Sequence, residues 1–249
     1  MWWHRCQTAY HGPRREGRLR DALLVREGEP VAKPADWSTW HDRYEDPQSP
    51  LSLRLALVQE ETRKAIERRP PGPIRLVSIC AGQGRDVIGV LAGHPRQGDV
   101  AAALLEFDPE NVEQARRHAL AAGLANVSAT VADASCTDCY DGVVPADVIL
   151  ICGVFGHLSP DDVRHTISYL PHLCAPGATI VWTRHAGLRH GSANLTPSMR
   201  TWFQESSFEE LAFRTTADGH GVGAHQLVAP PQPYEPGLRL FTFLDPTPK

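Results

Sequence analysis

The 249-residue chain carries 25 basic and 29 acidic side chains, a formal net charge of −4, and is 42% hydrophobic. That is ample for the core of one α/β domain with an added segment, and the mildly acidic balance argues against a broad nucleic-acid footprint. No apolar run is long enough to span a bilayer, and the opening MWWHRCQTAY lacks the apolar stretch of a signal peptide, so a cytoplasmic protein without membrane attachment is expected. The six cysteines (Cys6, Cys80, Cys136, Cys139, Cys152, Cys174) are scattered and read as reduced thiols rather than a disulfide framework.

Residues 1–50 show no clean strand pattern but hold four of the six tryptophans: Trp2, Trp3, Trp37 and Trp40. Their Pro, Gly and Arg content predicts partial disorder early on. The cluster WSTWHDRYEDP, with Trp37, Trp40, His41 and Tyr44, precedes a helix predicted over 52–69, which Pro70-Pro71-Gly72-Pro73 ends. Residues 1–73 are therefore expected to form an N-terminal lid or cap ahead of a domain over 74–249.

From residue 74 short apolar runs alternate with helical patterns, the signal of a parallel sheet with crossover helices. The strands are predicted at 74–79, 100–105, 127–131, 147–151 and 178–183. Asp108-Pro109-Glu110 supplies an N-cap, a first-turn proline and an acidic first turn, and Gly123 a stop. Ser159-Pro160-Asp161-Asp162 repeats the device, and Pro171 kinks or ends the helix it starts. A helix near 197–205 and two strands near 210–215 and 239–244 complete the pattern, the last two pairing antiparallel across a Gly- and Pro-rich loop.

The first strand runs into Cys80-Ala81-Gly82-Gln83-Gly84-Arg85-Asp86 and then a helix. Glycines at a strand-to-helix turn permit positive φ and close approach of a ligand to the backbone. Alone such a turn is a weak signal, since packing also produces it. Twenty-two residues beyond Gly84 stands Glu106, at the tip of the second strand, where a carboxylate can accept from both ribose hydroxyls of an adenosine-containing cofactor. A dinucleotide fingerprint wants a third Gly or Ala where Val87 stands, which counts against a nicotinamide-dependent oxidoreductase.

Taken in order, five stretches resemble the motifs of class I S-adenosylmethionine (SAM)-dependent methyltransferases. LVSICAGQGRD (76–86) is similar to the glycine-loop motif, and LLEFDPENVEQA (104–115) to the strand with the ribose-binding acid. ATVADA (129–134) resembles the third-strand motif, DVILICGVFGHL (147–158) the fourth strand and its active-site loop, and LCAPGATIV (173–181) the turn into the fifth strand. The resemblance covers roughly residues 74–245 and implies a Rossmann-like class I methyltransferase fold: a mostly parallel seven-stranded sheet with an antiparallel last strand. It further implies SAM as cofactor, with Gly82 and Gly84 beside the methionyl part, Glu106 on the ribose, Phe107 over the adenine, Asp133 on its amine and Ala134 offering a backbone N–H. Ser78, Cys80 and Cys152 complete that shell. Two of these depart from the family, which usually has an acid at Ser78 to steady the methionyl ammonium and glycine at Cys80.

Methyl transfer from a sulfonium is an in-line displacement, so alignment and exclusion of water dominate, with a base needed for hydroxyl or amine acceptors. His157 follows the fourth strand and is a candidate base; a capping or surface histidine is the alternative. His185 follows the fifth strand beside Arg184, and Tyr44 belongs to the aromatic lid cluster. Cys136-Thr137-Asp138-Cys139 has metal-type spacing without a second ligand pair, and no metal is expected. The arginines at 14, 15, 18 and 20 read as a solvated tail. Cys152-Gly153-Val154-Phe155 lacks the Pro-Pro motif of DNA amino-methylating enzymes, the paired glutamates of protein arginine methyltransferases and the metal-binding acids of the catechol type. A small-molecule acceptor remains, with a fold-retaining non-catalytic SAM-binding module as a further alternative.

Overall fold

The computed structural model describes residues 44, 46–187 and 194–244. Trp2, Trp3, Trp37, Trp40, His41, Cys6 and the arginines at 14, 15, 18 and 20 lie outside them.

The first helix, α1 (Pro50–Arg68), begins where Ser49 Oγ accepts from Ser52 N–H at 3.1 Å, with proline in the first turn, and stops before Pro70. Its Val58, Ala65 and Ile66 are buried in one cluster with Ile74 and Leu76 of the adjoining strand. The expected boundary at residue 73 thus falls between a helix and a strand that share a core. Strands β1 (Ile74–Ile79), β2 (Val100–Glu106), β3 (Val127–Val131), β4 (Ala146–Ile151) and β5 (Cys174–His185) are parallel. Between them lie α2 (Arg85–Leu91), α3 (Pro109–Ala121) and α4 (Pro160–Tyr169). Asp108 and Ser159 cap α3 and α4 through their side chains, accepting from Glu110 N–H at 2.8 Å and Asp162 N–H at 3.1 Å. Gly123, at φ 69°, ends α3, and Leu124 N–H closes back on Ala119 O at 2.9 Å. Helix α5 (Thr196–Glu205) and the antiparallel hairpin β6 (Phe208–Thr215) and β7 (His220–Leu227) complete the fold.

The seven strands are ordered β3-β2-β1-β4-β5-β7-β6, with β7 antiparallel to both its neighbours. Helices α1, α2 and α3 bury Val58, Val87 and Val112 against one face; α4 and α5 bury Val163, Ile167, Met199 and Phe203 against the other. That is the three-layer solution for a parallel sheet, which must be covered on both sides.

The sequence places the seventh strand wrongly. Residues 239–244 are no sheet strand and make only isolated bridges, Arg239 to Cys136 and Phe243 to Leu158. The seventh strand is His220–Leu227, whose Gly221 and Gly223 argue against a strand by propensity. Trp182 of β5, fully buried, explains one of them: a Cβ on Gly223 would stand 2.3 Å from the indole. The indole instead stacks on Phe203 and Phe213 and donates from Nε1 to His225 Nδ1 at 3.1 Å. The C-terminal stretch has a different task. Between β3 and β4 the described chain forms only a short 3₁₀ turn, Thr137–Tyr140, and no crossover helix. Leu240 and Phe241 fill that side of the core, held by Leu240 N–H to Ser135 O (2.7 Å) and Thr166 Oγ1–H to Leu240 O (3.1 Å). No helix among the described residues is long and apolar enough to cross a membrane, and the five described cysteines are free thiols.

Candidate active site

The carboxyl ends of β1, β2, β3, β4 and β5 form one edge, where open parallel sheets bind ligands. Leaving β1, the chain takes positive φ at Cys80 (53°), Gly82 (55°) and Gly84 (68°). Cysteine at such a position costs roughly 1–2 kcal/mol, so the turn survives the loss of glycine at a price in strain. Burial, then the negative charge of Glu106 and Asp133, pushes the Cys80 thiol far up, leaving it un-ionised. Gly84 is glycine for packing: a Cβ there would meet Leu104 Cδ1 at 2.6 Å, so its absence lets α2 close on β2. Ser78 is buried in mid-strand, in register with Leu104 and Leu150.

Glu106 faces this loop across the edge. Its Oε2 accepts from Gly82 N–H at 2.7 Å and its Oε1 from Asp108 N–H at 2.9 Å. Each carboxylate oxygen keeps a further lone pair. Beside it Phe107 is 66% exposed, an aromatic ring left outside the core at the tip of β2. After β3, Asp133 accepts from Ser135 N–H (3.1 Å) and Oγ–H (2.5 Å) through Oδ1, and faces Arg239 Nη2 at 3.5 Å through Oδ2. Ala134 is buried, its carbonyl accepting from Tyr140 Oη–H at 2.7 Å.

A second group gathers where α1 meets the ends of β1 and β4. Arg54 is buried; its Nη2 donates to Tyr44 Oη at 2.8 Å, and its Nη1 reaches within 4.0 Å of where a Cβ on Gly153 would stand. The Tyr44 ring lies 5.3 Å beneath the Arg85 guanidinium, and burial raises its phenol above the ordinary range despite Arg54. Next to Arg85, Asp86 is partly enclosed. Burial pushes its carboxyl up to about 6, against the pull of Val87 N–H and Arg54. The Cys152 thiol, on the same side, is raised by burial and then by Asp86, and contacts Val181 O at 3.8 Å. Arg54 and Asp86 were not singled out in the sequence. An arginine on the apolar side of an amphipathic helix was the available signal for the first.

The two histidines occupy different settings. His157 lies in a 3₁₀ turn, Phe155–His157, its ring edge-on to Phe243 at 6.5 Å and its carbonyl accepting from Leu244 N–H at 2.8 Å. The C-terminal segment therefore borders it. His185, at the end of β5, accepts at Nδ1 from Gly187 N–H (2.8 Å), which leaves Nε2 to donate to Asp218 O (2.8 Å). His220 is bonded to Asp218 Oδ2 at 2.5 Å. Potential ligand atoms of His185, Asp218 and His220 lie within 4.8 Å of one another, the sole such group among the described residues. The hairpin already uses these atoms, Asp218 Oδ1 being taken by Thr216 Oγ1 at 2.5 Å.

A parallel sheet ordered 3-2-1-4-5-7-6 with antiparallel β7, and a glycine loop facing an acid at the tip of β2, define a class I methyltransferase fold. Residues 51–193 match the model of a family described as "Putative methyltransferase", and the chain belongs to that family. No curated protein sequence matches the chain. Solved structures share the fold. One is magnesium protoporphyrin IX methyltransferase from Synechocystis with bound SAM: 12% identical, TM-score 0.60, covering 77% of this chain and 91% of that one. Another is 1,6-didemethyltoxoflavin-N1-methyltransferase of Burkholderia thailandensis, with 1,6-didemethyltoxoflavin and S-adenosylhomocysteine bound: 14% identical, TM-score 0.55, covering 81% and 93%. A third is an O-methyltransferase family protein of the same organism, 16% identical with TM-score 0.58; 81% of this chain matches, spanning 65% of that protein's length.

Proposed function

We propose that the protein transfers a methyl group from SAM to oxygen, nitrogen or carbon of a small molecule, without a metal, releasing S-adenosylhomocysteine. The observation that carries the reading is Glu106, which holds the glycine loop through Gly82 N–H at 2.7 Å while keeping lone pairs for two vicinal hydroxyls. The donor set fits such a cofactor. Phe107 offers an exposed ring for the adenine, and Asp133 and Ala134 border the same corner. Asp86 supplies the negative charge near the methionyl ammonium that Ser78 cannot. Bound there, SAM supplies an electrophilic methyl on a sulfonium centre.

The remaining residues orient and shield. Tyr44, tied to Arg54, closes the edge over the ends of β1 and β4; with its phenol raised by burial it positions rather than deprotonates. His157, in the turn after β4, takes the acceptor's proton as the methyl arrives. His185, with both ring nitrogens engaged, orders the β6–β7 hairpin at the acceptor side. The β4 tip, Cys152-Gly153-Val154-Phe155, brings no carboxylate for a metal. Calorimetry is the test: SAM and S-adenosylhomocysteine bind in the micromolar range and NAD does not. Binding of NAD with no response to either adenosyl ligand overturns the assignment.

A further inference from the structure

Strand β5 runs three residues past the end of β4, since Ile151, the last residue of β4, pairs with Trp182. The second of those three residues is Arg184. It is 5% exposed, and its Nη1 donates to the Phe155 carbonyl in the turn that follows β4. Nothing else among the described residues bonds to its side chain. Its Nε is fully enclosed with no partner, and no carboxylate among the described residues forms an ion pair with it. Burial lowers its hold on its proton, with no opposing charge to offset the effect.

A guanidinium withdrawn from water without a counter-charge costs several kcal/mol. The other enclosed arginine at this edge, Arg54, has the Tyr44 hydroxyl. Elsewhere, arginines less enclosed than Arg184 find carboxylates readily: Arg69 on Asp147, Arg200 on Glu210, Arg96 on Asp99. A planar fork of N–H donors with one bond spent matches a carboxylate or phosphate. The position separates this charge from the cofactor corner. Arg184 is two strands from the glycine loop of β1 and three from Glu106 on β2, about 10 and 14 Å at the usual strand spacing. It lies next to the loop that carries His157.

We infer that Arg184 binds an anionic group, a carboxylate or phosphate, of the methyl acceptor, so that the substrate class is small acidic molecules. This rests on the methyltransferase reading above. The carboxylate of the cofactor's own methionyl part is the competing source, and the experiment separates the two.

Arg184→Met removes the charge and keeps the volume of the stem. Thermal unfolding of wild type and variant is followed in sodium benzoate and in sodium phosphate, against sodium chloride at equal ionic strength, with calorimetry of S-adenosylhomocysteine alongside. Ligand-free, the variant is at least as stable as the wild type, because an uncompensated charge has gone; a purely structural arginine would make it less stable, and that result overturns the inference. At least one of the two anions stabilises the wild type with saturation and leaves the variant unmoved. Stabilisation by neither anion, or by either one equally in both proteins, overturns it as well. S-adenosylhomocysteine affinity stays within threefold in the variant; a tenfold loss assigns Arg184 to the cofactor's carboxylate and overturns the acceptor role. Failure of the wild type to bind S-adenosylhomocysteine at all would instead sink the methyltransferase reading.

Discussion

Replacing Glu106 by alanine tests the cofactor corner and the glycine loop in one experiment. In the ligand-free protein the carboxylate accepts from Gly82 N–H at 2.7 Å and Asp108 N–H at 2.9 Å, both charge-assisted. Such bonds contribute about 1.5–3 kcal/mol each when buried. The two donors sit on separate, partly exposed segments, the loop after β1 and the cap of α3, where water can substitute, so the loss of stability is expected at roughly 1.5–3 kcal/mol in total rather than double that. The second effect is on ligand affinity. Losing the bonds to two ribose hydroxyls costs a further ~1.5–3 kcal/mol, which is roughly a 10- to 150-fold weaker Kd for S-adenosylhomocysteine. Glu106→Gln keeps one acceptor oxygen but turns an NH₂ toward one of the two backbone donors, so it should fall between wild type and alanine on both measures. Urea unfolding gives the first quantity and calorimetry the second. A folded alanine variant with an unchanged Kd removes Glu106 from the site, and an unchanged unfolding midpoint shows that the loop does not depend on it.

Three further outcomes follow from particular contacts. Gly223→Ala places a methyl 2.3 Å from the Trp182 indole and should destabilise the protein by about 1–3 kcal/mol or more, with Trp182→Leu in the same chain recovering part of the loss; additive losses by urea unfolding would refute the packing account. Asp86, with its carboxyl raised from its ordinary value to about 6, carries a stability cost that is absent near pH 4, grows between 4 and 6 and is complete above 6. Asp86→Asn should therefore stabilise the ligand-free protein by about 1–3 kcal/mol at pH 8 and by almost nothing at pH 4, while weakening SAM binding; a pH-independent difference in unfolding free energy would contradict this. His157→Ala should lower turnover roughly 100-fold, once an acceptor is in hand, with SAM affinity within a few-fold of wild type; normal turnover means transfer by alignment alone.

The strands β1 and β3, and the capped starts of α3 and α4, were legible residue for residue because apolar runs and Asx/Ser-Pro caps are local signals. The glycine loop and Glu106 were legible for the same reason: both are short motifs at strand tips. What escaped is whatever depends on distant partners. His220–Leu227 reads as a loop until Trp182 is seen to need the space above Gly223. Residues 239–244 read as a strand because they are a short apolar run, yet Leu240 and Phe241 fill the space left where β3 and β4 lack a crossover helix. Arg54 reads as one more helix charge, and only the packing of α1 against the sheet carries it to the loop after β4. The sequence likewise gave no sign that Gly84 serves α2–β2 packing, whereas Gly82 donates to the acid.

The charges at the carboxyl edge have a consequence that no single residue reveals. Glu106, at the tip of β2, is held only by backbone N–H groups and has no cationic partner among the described residues. Arg184, at the tip of β5, has no anionic one. Opposite charges on neighbouring strands would pair and cancel. These two are held apart by β1 and β4, some 14 Å across the sheet, so neither can neutralise the other. Among the described residues, then, neither charge has an opposite partner. On the proposed reading, SAM would bring its ribose hydroxyls to the β2 end and its sulfonium over β1, and an acidic acceptor would bring its anion to the β5 end. The reacting methyl then falls between them, over β1 and β4, where Tyr44 and the His157 turn border the edge. If both proposals hold, the two ligands would favour each other's binding, since a cationic sulfonium and an anionic acceptor attract across the gap they share. A metal would be superfluous to bringing them together.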